Sequence, residues 1–100
     1  MRLGILINTD KHLGAILGIT KAAVSKGHEV ILFNMDSGTR LLEDPAFTAL
    51  CKLEGVRMGF CDHSAKNHDV KTDAIPGDIA CGSQYNNAVM MHEADKVVRL

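Results

Sequence analysis

Residues 2–34 read RLGILINTDKHLGAILGITKAAVSKGHEVILFN, and the architecture of the whole chain follows from them. The near-continuous apolar run at residues 2–8 has the pattern of a parallel strand buried on both faces. Thr9, Asp10 and Lys11 break it. From His12 to Lys26, residues 13, 16, 17, 20, 23 and 24 recur at helical spacing, and Gly27 supplies a C-terminal stop. Gly14 and Gly18 each lower helix propensity by about 1 kcal/mol relative to Ala, which predicts close packing of that face against a sheet or a neighbouring helix. Glu29 to Asn34 is a second apolar run. Strand, helix and strand within 34 residues form a β-α-β unit, whose crossover is right-handed and whose strands are parallel.

The alternation continues outward from this unit. Residues 35–39 form a polar turn and Arg40 to Leu42 a short helical turn, and Asp44 before Pro45 signals a helix start for a helix running to about Leu53. Gly55 ends that helix. Val56 to Cys61 is the third strand, Asp62 to His68 a short helix capped by Asp62 or Ser64, and residues 70–76 a loop or helical turn. Asp78 to Cys81 is a short fourth strand, Ser83 caps a helix from Gln84 to about Glu93, and Lys96 to Leu100 is the last strand. The pattern predicts an α/β fold, a three-layer sandwich on a mostly parallel five-stranded sheet, as one domain spanning residues 1–100.

Composition narrows the function classes. A formal net charge of −1 over 100 residues gives no basic footprint for nucleic acid and no polybasic block for anionic membranes. The longest apolar stretches fall far below the ~18 residues needed to cross a bilayer, and residues 1–9 run into an acidic turn where a signal peptide would have a cleavage site. Three cysteines without a CxxC pair indicate neither a zinc ribbon nor a disulfide framework. These features predict a soluble, cytoplasmic protein. A small aliphatic core with few aromatics also favours oligomerisation.

Cys61 is the leading candidate for chemistry. It closes the third strand and is followed by Asp62, His63 and Ser64, so its thiol lies where α/β proteins place their ligands, at the carboxyl end of a strand facing helix amides. A thiol at a helix N-terminus or beside a protonated His has a lowered pKa and more thiolate at neutral pH. Asp62 opposes this unless it caps the helix or pairs with His63. The competing reading is a buried cysteine acting as a small hydrophobe. Cys81, before Gly82 and the cap Ser83, stands at an equivalent strand end and is a second thiol candidate, either as packing or as a redox partner of Cys61. Cys51 reads as core.

The turns after the first two strands should share the same sheet edge. Asn8 and Asp10 lie in one, and Asp36, Gly38 and Arg40 in the other, where amides and a guanidinium would suit a small anion if the turn is more than a solvated connection. The five histidines are scattered, and His63 and His68 stand about 140° apart on a helix, unsuited to one ion. No metal site is predicted. Phosphate loops of the GxxxxGK[ST] and GxGxxG types are missing, as is a nucleophile elbow, so no cofactor is expected. Met90 and Met91 read as core packing.

Taken together, RLGILINTD at 2–10, KGHEVILF at 26–33, VRMGFC at 56–61 and EADKVVRL at 93–100 resemble the DsrE/TusD/DsrF-like family over essentially the whole chain. The resemblance implies a flavodoxin-like fold without flavin, assembly into homotrimers or hexamers, and a persulfide carried on Cys61, supported by His63 or nearby amides, between a protein sulfur donor and acceptor. The alternative within the same family is a non-catalytic subunit that binds a small anion or a partner protein at the strand-end crevice.

Overall fold

The computed structural model describes residues 1–100. Five strands, β1 (Arg2–Ile7), β2 (Glu29–Asn34), β3 (Val56–Cys61), β4 (Ile79–Gly82) and β5 (Lys96–Arg99), form one sheet in the order β4-β3-β2-β1-β5. Every pairing is parallel, so the mostly parallel sheet expected from the sequence is wholly so. The α/β architecture and the five-stranded sheet are those the apolar runs predict.

Side-chain alternation along the strands sorts the core into two layers. On one face Ile5, Ile7, Val30, Leu32, Met58, Phe60 and Ile79 pack with Ile16 of α1 (Leu13–Ser25), Phe47 of α2 (Pro45–Thr48) and Ala65 of α3 (Asp62–Asn67). On the other, Ile31 and Phe33 are buried and a single helix, α4 (Gln84–His92), lies across β1 to β4. Two glycines let α4 approach. A Cβ on Gly4 would meet Met91 Sδ at 3.1 Å and Ala94 Cβ at 3.0 Å, and one on Gly59 would meet Met90 Sδ at 3.1 Å. Met90 and Met91 are thus packing residues on the sheet. The outer surface of α4 and the strand β5 stay exposed, with Tyr85, Val89, Val97 and Val98 among the exposed apolar residues.

Three local expectations are corrected. The polar turn and short helical turn after β2 are one 3₁₀ run, Asp36–Glu43, because Gly38, Thr39, Leu41 and Leu42 are all buried against the core and the chain tightens to place them. The helix begun by Asp44, whose carboxylate accepts from the Ala46 amide at 2.8 Å, ends at Thr48 and continues as a 3₁₀ turn over Ala49–Lys52. Gly14 and Gly18 do not pack closely against anything. A Cβ at either would meet open space, because Ile16 and Thr20 form the buried stripe of α1. Gly18→Ala is therefore expected to stabilise the protein by up to about 1 kcal/mol, read as a higher urea midpoint.

Candidate functional site

The first three crossovers, α1 among them, run on the main core face, whereas the crossover from β4 carries α4 over the opposite face. The chain leaving β3 and the chain leaving its neighbour β4 therefore diverge, which opens a crevice at their carboxyl ends. That is where open α/β sheets place their ligands. The crevice holds about 780 Å³ and is lined by Met35 and Asp36 after β2, residues 61–64 after β3, and residues 82–84 after β4.

Cys61 is the last residue of β3 and itself occupies the N-cap position of α3, with φ −84° and ψ 116°, where the sequence pointed to Asp62 or Ser64. The strand delivers the thiol to the open amides of the first helical turn. Cys61 is only 3% exposed. Burial pushes its pKa up, but the Ser64 hydroxyl and amide, the Gln84 side chain and the His63 amide outweigh burial and leave the thiol below its ordinary value. None of these groups makes an aligned capping hydrogen bond to the sulfur, so they act together as oriented dipoles.

Asp62 does not stand against this. Its carboxylate is held by Lys66 at 2.9 Å, one turn along α3, and that contact keeps its pKa below the ordinary carboxylate range. Its remaining influence falls on Cys81. Burial raises the Cys81 pKa first, and the adjacent Asp62 charge raises it further. Phe60 pairs with Cys81 and Cys61 with Gly82, so the pleat turns the two thiols to opposite faces of the sheet. All three cysteines are free, and the geometry of this pair speaks against a direct Cys61–Cys81 bridge.

The other candidates separate by the same logic. The His63 ring turns along α3, its Nε2 3.1 Å from Asn67 Nδ2, and His63 reaches the thiol through its backbone amide. Ser83 caps α4, its amide donating to Asn86 Oδ1 at 2.9 Å, and stands on the crevice wall with Asp36. Asn8, Asp10, Gly38, Arg40 and Cys81 do not line the crevice. Arg40 faces Asp10 at 3.8 Å, the Asn8 carbonyl accepts from the Ser37 hydroxyl, and the Gly38 amide donates to the Met35 carbonyl. No three His, Cys, Asp or Glu side chains converge to hold a metal ion. Sequence reasoning missed Gln84 as a neighbour of the thiol. Its place at the start of α4, directly after the Ser83 cap and the strand β4 that pairs with β3, was the available signal.

No protein-family model and no curated protein matches the chain. Among solved structures it is similar to the protein of unknown function MTH1491 from Methanobacterium thermoautotrophicum, with a TM-score of 0.78 and 13% identity over 99% of this chain and 98% of that one. It is similar also to the ychN protein from E. coli, with a TM-score of 0.70 and 12% identity over 99% and 97%. At such identities the likeness is one of fold, and this chain has the five-stranded α/β fold of these two proteins over nearly their full length.

Proposed function

We propose that this protein is a DsrE/TusD-like sulfur carrier of the cytoplasm, in which Cys61 holds a persulfide between a protein donor and a protein acceptor. One observation carries the reading: a thiol with a lowered pKa stands at the floor of the crevice where the chains leaving β3 and β4 diverge. In the transfer, the Cys61 thiolate attacks the outer sulfur of a donor persulfide, R–S–SH. The donor S–S bond breaks, R–S⁻ leaves, and Cys61 becomes Cys–S–SH. The acceptor thiolate repeats the exchange in the opposite sense, so no cofactor and no net oxidation are needed. The His63 and Ser64 amides and the Ser64 hydroxyl stabilise the anionic sulfur on either side of the step. The absence of any helix long and apolar enough to cross a membrane is in keeping with this location. Exposed Tyr85, Val89 and Val97 on the α4 side of the sheet support assembly of several copies into a homo-oligomer.

The 3% exposure of Cys61 favours a second reading, in which the crevice binds a small anion or a partner segment and the thiol merely lines it. Intact mass after incubation with a persulfide donor separates the two. The wild-type chain is expected to gain one sulfur atom and Cys61→Ser none. Equal loading of the variant, or none of the wild type, would overturn the carrier.

A further inference from the structure

The crevice has one charged wall residue that nothing neutralises. Asp62 is paired with Lys66, and the lining holds no Lys or Arg. Asp36 remains, with no hydrogen bond or ion pair reaching its carboxylate. Its backbone is fixed in the left-handed region at φ +48°. The loop that presents it is rigid: the Asp36 carbonyl accepts from the fully buried Thr39 hydroxyl at 2.8 Å, and the Met35 amide donates to the Ile7 carbonyl at 2.9 Å. Asn34 pairs with Phe60, so Asp36 rises beside the end of β3 about one strand spacing, ~5 Å, from the chain that carries Cys61.

We propose that Asp36 makes the Cys61 crevice selective for sulfur donors and acceptors whose reacting sulfur is flanked by positive charge. This rests on Cys61 being the reacting thiol and names the chemical class of its partner. A cysteine beside Lys or Arg on a protein is drawn in, and small anions such as thiosulfate are held off. A carboxylate on the wall of the same crevice attracts an incoming cation and repels an incoming anion, whereas the thiolate's own charge is present in every variant that retains Cys61.

Thiol–disulfide exchange tests this without any sulfur donor. The Cys61 thiolate attacks one sulfur of an aliphatic disulfide, a mixed disulfide forms, and the other half leaves as its thiolate. Cystamine is cationic, dithiodipropionate anionic and hydroxyethyl disulfide neutral, and each charged rate is divided by the neutral rate in the same protein. At low salt, Asp36→Asn is expected to shrink the cationic-to-anionic ratio about fivefold, and near 1 M salt the wild-type and Asp36→Asn ratios are expected to converge. Asn tolerates the left-handed backbone, so this variant keeps the loop. Asp36→Lys should invert the preference. An unchanged ratio in Asp36→Asn at low salt overturns the proposal. Charge selectivity without sulfur loading would remove the carrier function and leave the selectivity standing, and loading without selectivity would do the reverse.

Discussion

Gly38→Ala is expected to cost about 3 kcal/mol of folding stability, near the upper end for overpacking a core. The added methyl would fall on the Ile7 carbonyl at the end of β1, with Ile7 Cγ2 2.9 Å away, so backbone as well as side chain must give. Relief by a small shift is blocked on both sides of the residue. The Gly38 backbone amide donates to the Met35 carbonyl at 2.9 Å, and its carbonyl accepts from the buried Asn34 side-chain Nδ2 at 2.8 Å. Moving the whole run Asp36–Glu43 outward would uncover Leu41 and Leu42, which are 6% and 4% exposed. For a domain of this size such a loss lowers the melting temperature by roughly 12–24 °C. Gly18→Ala, the same change in open space, should move in the opposite direction. A Gly38→Ala loss under about 1 kcal/mol would show that the run slides freely on β1.

The second large effect is expected in the pH dependence of alkylation. Thiolate is the reacting form, so a lowered pKa brings reactivity in at lower pH and a raised pKa delays it. Cys61 is lowered and Cys81 raised, and the labelling midpoint of Cys61 should therefore fall below that of Cys81. Access to the buried thiol limits the absolute rate, and so the midpoint is the quantity to follow. With iodoacetamide and site-resolved mass analysis, the Cys61 rate should reach half its plateau at a lower pH than the Cys81 rate, and the Cys61 adduct should vanish in Cys61→Ser. Ser64→Ala removes one donor to the sulfur and should move the midpoint upward. A Cys61 midpoint at or above that of an ordinary thiol would mean that burial outweighs the surrounding dipoles.

These two residues also mark where the sequence was legible and where it was not. The strands were readable because Ile5, Ile7, Val30, Leu32 and their neighbours form short apolar runs between glycine and polar breaks, and buried parallel strands leave that mark. Cys61 stood out for the same reason, as the residue closing such a run. The stretch Asp36–Glu43 was harder, because a polar turn and a 3₁₀ run differ in whether Gly38 and Thr39 are buried, and burial depends on where β1 ends in space. Asp62 shows the limit most clearly. Next to Cys61 in sequence, it belongs electrostatically to Lys66 and Cys81, because the pleat and the first turn of α3 point it away from the thiol. Gln84 has the converse relation, 23 positions away along the chain and beside the sulfur once β4 pairs with β3.

The order of the strands also constrains synthesis. β1 to β4 assemble by successive crossovers on one face, and that face can close as soon as residue 82 has been made. Ile31 and Phe33, on the other face, wait for α4, which follows all four of those strands in the chain. A chain that orders itself from β1 onward therefore passes through a stage with one finished layer and one bare apolar surface, until α4 packs on it.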